Sequence, residues 1–155
     1  MSSHSRPVLV VAQGSFQKPM VYQQLCEKLR EHGYVVKLPE LPSCSDNPNI
    51  SQFTLADDAQ SVQQVGRELV DEGETVVVVC HSYGSLVGSE AISEDLTYAS
   101  RKTQGVSGGV IHMFLVASFL LPIGQSVLDA FGESPNNDVK VSELKSFTDC
   151  CQSSV

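Results

Sequence analysis

Apolar and polar positions along this chain switch repeatedly between a continuous or two-residue pattern and a 3.6-residue one. Val8-Leu9-Val10-Val11 is a short apolar run closed by Gln13-Gly14-Ser15, and it reads as a buried strand. A helical rhythm follows, entered near Pro19, with Tyr22, Leu25, Cys26 and Leu29 on one face and Gly33 as its stop. Tyr34 to Leu38 is a second strand. Pro39, Pro42 and Pro48, with Ser43, Ser45, Asp46 and Asn47 between them, make residues 39–53 a loop. Thr54-x-x-Asp57 then fits a capping pattern, and Leu55, Ala59, Val62, Val65 and Leu69 form the buried stripe of a helix that ends at Asp71-Glu72-Gly73. Val76 to Val79 is a β-branched third strand, followed by Leu86, Val87, Ala91 and Ile92 at helical spacing. A polar stretch over residues 94–107 leads to the last strand, Val110 to Ala117. The run Val110 to Leu121 carries no charge and reads as a strand buried on both faces.

Strand and helix patterns that alternate in this way predict an α/β architecture, a parallel sheet of about four strands with flanking helices. From Gly132 onward the periodicity is lost. Residues 1–131 are therefore the organised part, and residues 132–155 a polar tail expected to be exposed or poorly ordered. The chain shows no internal repeats.

At 155 residues it is long enough for one domain that buries about 70% of its unfolded surface. A net charge of −8 with no basic run argues against nucleic acid as a partner, because nothing would displace counterions from phosphates. Cys26, Cys44, Cys80, Cys150 and Cys151 do not form a disulfide framework. Neither they nor the four histidines have metal-ligand spacing, and no metal or other cofactor is expected. The apolar run Val8 to Ala12 is too short for a signal-peptide core, and the stretch ending at Pro122 is too short to span a bilayer. An intracellular, cytoplasmic protein that does not enter a membrane is the expectation.

The chemistry is carried by Val76-Val77-Val78-Val79-Cys80-His81-Ser82-Tyr83-Gly84. A strand ending abruptly in a serine flanked by small or turn-tolerant residues reads as a nucleophile elbow, Gly-x-Ser-x-Gly, which exposes the hydroxyl at the carboxyl edge of a parallel sheet. Gly84 supplies the second small residue. Cys80 stands where the first glycine would be, a departure that the small, apolar character of a free cysteine accommodates.

Four segments in order carry a wider resemblance: Val8 to Ser15; Gly33-Tyr34-Val35-Val36 with Leu41-Pro42-Ser43; Val76 to Gly84; and Phe114 to Pro122. Over residues 7 to about 131 the chain resembles the α/β-hydrolase superfamily, in its small branch of plant methyl-ester esterases, hydroxynitrile lyases and many fungal hydrolases. The resemblance implies a partial α/β-hydrolase fold with Val8–Val11 and Val76–Val79 central and Tyr34–Leu38 and Val110–Ala117 at the edges. It implies Ser82 as the nucleophile and the backbone N–H groups of Ser15 and Tyr83 as the oxyanion hole. Gln13 stands where the family often has His.

The triad of this superfamily runs Ser, then Asp or Glu, then His, the last two after further strands that this chain does not show. After Ser82 the only histidine is His112, inside the last strand and about five residues of roughly 3.3 Å each from the edge where Ser82 sits. His81 adjoins Ser82 on a sharp turn and points away from it. Asp129 and Asp138 follow the last strand, but an acid without an imidazole activates nothing. Two functions follow. One is a serine hydrolase acting on an ester or related small acyl substrate, placed by its fungal look in secondary metabolism. The other is a carboxyl-terminally truncated, inactive member that binds a ligand or partner, or that persists only as an unstable fragment. The last strand, left with an unpaired edge, is expected to promote self-association.

Overall fold

The computed structural model describes residues 6–132. The chain divides at Phe119 into two units.

The first unit is built on four parallel strands in the order β2-β1-β3-β4: β1 Val8–Ala12, β2 Val36–Lys37, β3 Thr75–His81 and β4 Gly109–Val116. This is the order the resemblance implies. Val8 pairs with Val76 and Ala12 with Cys80, so β1 and β3 are central. Their valines suit a pleated surface packed from both sides.

Helices cover the two faces unequally. α2 Leu55–Asp71 and α3 Gly84–Ala91 pack Ala59, Val62, Leu69, Val70, Val87 and Ala91 onto Val8, Val10, Val76, Val78 and Cys80. On the opposite face α1 Gln23–Glu31 and the single turn Pro19–Tyr22 bring Tyr22 and Cys26 against Leu9, Val11 and Val36. That second cover lies over β1 and β2 and touches β3 through Tyr22 and His81, but leaves Phe114 and Val116 of β4 exposed. Leu25, expected on the buried face of α1, is 46% exposed.

Three elements depart from the sequence reading. The second strand shrinks to two residues: Tyr34 is still tied to the end of α1 through its N–H to the Leu29 carbonyl at 3.1 Å, and Val35 contributes only its carbonyl, which accepts from the Leu9 N–H at 2.9 Å. The polar stretch 94–107 contains a six-residue helix, α4 Tyr98–Thr103, capped by the Thr97 hydroxyl. β4 is not buried on both faces. A register shift at Val76/Val77 leaves His112, Phe114 and Val116 opposite Val77, Val79 and His81, on the same sheet face as α1 but beyond its cover, and Phe114 is 62% exposed.

In the second unit the described residues form a turn at Pro122–Gln125 and a short helix, α5 Val127–Phe131, whose capping box joins Ser126 and Asp129. The tail assigned to residues 132–155 lies, apart from Gly132, outside the described residues. Among the described residues no helix is long and apolar enough to cross a membrane.

Candidate active site

The carboxyl edge of the sheet is where backbone strain collects. Among the described residues, three non-glycine residues adopt left-handed φ: Phe16 at +59°, Ser82 at +53° and Ala117 at +45°. They follow β1, β3 and β4 respectively. Strain of this kind persists only where the surroundings impose it, and it clusters at functional sites.

Ser82 connects β3 to α3. Its N–H donates to the Val116 carbonyl at 3.1 Å, and Ser85 Oγ lies 2.9 Å from the Ser82 carbonyl and 2.7 Å from that of Phe119. The first turn of α3 lies directly on the end of β1: a Cβ on Gly84 would sit 2.1 Å from the Ala12 carbonyl oxygen. No other residue fits there, which is why the elbow ends in glycine.

The departure at Cys80 has a local compensation. A Cβ on Gly88 would be 2.7 Å from Cys80 Sγ and 3.0 Å from Met113 Cε, so the cysteine occupies room that a glycine on the facing helix leaves. Burial pushes the Cys80 thiol up to about 11. It stays protonated at neutral pH and does not compete as a nucleophile.

The first loop lies against the elbow. A Cβ on Gly14 would be 3.4 Å from Ser82 Cβ and 3.1 Å from His81 Nδ1. The structure thus brings the Gly14-Ser15 segment and Ser82 together, as the sequence reading requires. Ser15, Ser82 and Tyr83 are all half-buried, and among the described residues the Ser15 and Tyr83 N–H groups have no acceptor. Two unpaired donors beside a strained serine are an arrangement able to hold a developing negative charge.

Each loop is held by a tyrosine. The Gly14 N–H donates to the Tyr22 hydroxyl at 2.8 Å, and that hydroxyl also meets the Gln17 side chain and His81 Nδ1, the latter at 2.7 Å. Burial raises the Tyr22 pKa, against the opposing pull of the Gly14 N–H, so it remains a neutral phenol. The Tyr83 hydroxyl donates to Asp58 Oδ2 at 2.9 Å. Burial, and after it the Asp58 charge, drives the Tyr83 pKa far above its ordinary value.

Other residues behave less simply. Gln13 is fully buried and neither polar atom of its side chain has a partner among the described residues, which costs about 1–3 kcal/mol. His81 is engaged by Tyr22 through Nδ1. His112 pairs with Val77, four rungs or about 13 Å below the His81 rung, and cannot exchange a proton with Ser82. Asp129 is the capping acid of α5, its pKa lowered by the Ser126 hydroxyl and then by the Ser126 N–H. Asp138 lies outside the described residues. Among the described residues no cluster of three His, Cys, Asp or Glu could hold a metal ion.

Tyr22, Ser43, Cys44 and Asp58 were not singled out by the sequence reading as site residues. Tyr22 and Cys44 look like ordinary core and loop residues. Asp58 did leave a signal: it falls three after Leu55 and four before Val62, a charge on the apolar stripe of α2.

Comparison with known proteins places these features in a family. A model described as the alpha/beta hydrolase family matches residues 8–144. Probable hydrolase R7 of a Phoma species is 27% identical over 128 residues, 83% of this chain and 49% of that protein. Alpha/beta hydrolase nvfD of Aspergillus novofumigatus is 25% identical over 126 residues, 79% and 47% respectively. A solved extracellular alpha/beta-hydrolase from a Paenibacillus species, described as sharing structural and functional homology with tobacco salicylic acid binding protein 2, superposes with a TM-score of 0.62 at 20% identity. That match covers 93% of this chain and 50% of the bacterial one, and it is a likeness of fold. The chain spans about half the length of the curated relatives it matches.

Proposed function

Because the chain belongs to the alpha/beta hydrolase family, we propose that it carries the acyl-binding half of a serine hydrolase, with Ser82 as nucleophile and the Ser15 and Tyr83 amides as oxyanion hole. The observation that supports this best is the left-handed Ser82 on its strand-to-helix turn, with two N–H donors, unpaired among the described residues, in the loops that meet there. In the reaction, Ser82 Oγ attacks the carbonyl carbon of an ester, and the carbonyl oxygen takes up negative charge between the two amides. The alcohol then leaves, and water releases the acyl group from the serine. Each oxyanion donor is worth about 100- to 1,000-fold in rate.

The proton from Ser82 needs a base, and the described residues offer none, His81 being tied to Tyr22. The family order places the acid and then the histidine after the serine, and the chain spans about half the length of the relatives it matches. Both relatives are fungal hydrolases, which favours a small acyl compound of fungal secondary metabolism as substrate.

The same missing base supports a second reading, a binding module that holds an acyl ligand without turning it over. Labelling with an alkyl fluorophosphonate separates the two. The hydrolase reading expects the chain to be labelled and the Ser82→Ala variant to be untouched; an unlabelled wild-type chain sinks it and leaves the binding module.

A further inference from the structure

We infer that Asp58 is a positioning residue for both oxyanion donors, fixing the Tyr83 amide through the Tyr83 hydroxyl and the Ser15 amide through the Ser43-Cys44 turn. The inference rests on the proposed role of Ser82.

Asp58 lies on the buried stripe of α2 and is fully inaccessible, and no ion pair among the described residues includes it. A buried carboxylate is tolerated only when donors surround it. Here there are three: the Ser43 N–H at 2.9 Å, the Ser43 hydroxyl at 2.5 Å and the Tyr83 hydroxyl at 2.9 Å. An alanine or leucine would satisfy the packing of α2. What the carboxylate adds is direction, because its two oxygens draw two separate segments of chain to one point.

The first segment is the elbow. Tyr83 immediately follows Ser82, whose own N–H is held by the Val116 carbonyl. With the Tyr83 ring anchored at Asp58, the peptide between Ser82 and Tyr83 is pinned from both sides, and its N–H keeps one orientation.

The second segment is the turn Pro42–Cys44, closed by the Cys44 N–H to the Leu41 carbonyl at 2.8 Å. Cys44 Sγ lies 3.9 Å from the Gly14 carbonyl oxygen. That carbonyl and the Ser15 N–H belong to the same planar trans peptide and point in opposite directions. Whatever holds the one aims the other. Tyr22 fixes the preceding peptide through the Gly14 N–H, so the Gly14-Ser15 unit is held on both sides as well.

The test uses the whole chain, its Asp58→Asn and Tyr83→Phe variants, the rate of Ser82 labelling by an alkyl fluorophosphonate, and the amide proton–nitrogen signals of Ser15 and Tyr83. Asn keeps the shape but sets an NH2 donor among groups that donate. It is expected to slow labelling about 10- to 100-fold, short of deleting a donor outright. It should move the amide signals of both Ser15 and Tyr83, whereas Tyr83→Phe moves that of Tyr83 and leaves Ser15 in place. A purely structural role would lower the unfolding midpoint without this pattern. If Asp58→Asn does not fold, Ser43→Ala takes its place, with the Ser15 signal expected to move and the Tyr83 signal to stay. Unchanged Ser15 signals in Asp58→Asn, or in Ser43→Ala where that variant substitutes, overturn the inference even if wild type labels. A wild type that does not label sinks the role of Ser82, while the amide signals still decide the role of Asp58.

Discussion

Ser82 holds a φ of +53°, a region that costs a side chain with a Cβ about 1–3 kcal/mol. Glycine carries no such penalty, so Ser82→Gly is expected to raise stability by about 1 kcal/mol over Ser82→Ala in urea unfolding, although neither variant retains the hydroxyl. Equal midpoints would show that the elbow stores no strain. The serine itself was legible, since four valines before it and a helical pattern after it mark the turn. Its supports were not. Tyr22 and His81 are separated by 59 residues and Asp58 and Tyr83 by 25, and no local pattern reveals a hydrogen bond across such a distance. In sequence Gln13 is only a replacement for histidine; that its amide is buried without a partner among the described residues is visible only in the fold.

Between elements, the packing of α3 on β3 explains how the elbow tolerates Cys80. Gly88→Ala is expected to destabilise by about 1–3 kcal/mol, because its Cβ meets Cys80 Sγ at 2.7 Å. Cys80→Ala should recover part of that loss, giving a coupling of about 0.5–3 kcal/mol in a double-mutant cycle. Additive effects would mean that the two positions do not share this space. The strands and the long helices were readable because their apolar positions follow a period. α4 was not, because it docks through a charge: buried Arg101 reaches the Val70 carbonyl at 2.8 Å, the Ser107 carbonyl at 3.2 Å and Asp71 at 3.0 Å. Hydrophobic periodicity is silent about such a helix. β4 misled in the opposite sense, since an uncharged apolar run predicts two covered faces whether or not a helix lies on both.

For the molecule as a whole, the β4 end of the sheet face that α1 only partly covers is the dominant exposed feature of the first unit. Phe114 and Val116 lie on it, and a hollow of about 190 Å³ opens between Val21, Leu25, Val79 and Val116. Beyond a single bridge from Val110 to Thr97, the outer edge of β4 pairs with no other described segment. Apolar faces and open edges of this kind favour association. The chain is expected to sediment as a dimer or larger species at micromolar concentration, and Phe114→Glu to weaken that association while unfolding stays cooperative. A monomeric wild type would contradict this. The fold order was legible at this scale because four segments of the family pattern occur in sequence; which part of a face stays uncovered was not, because an apolar strand reads the same whether one face or both are covered. The central claim, that Ser82 is a nucleophile served by two backbone donors, is tested most directly by a crystal structure of the fluorophosphonate-treated protein. The account predicts phosphorus bonded to Ser82 Oγ and the phosphoryl oxygen about 2.7–3.1 Å from the N–H groups of Ser15 and Tyr83. No adduct at Ser82, or an adduct whose phosphoryl oxygen faces away from both amides, would contradict it.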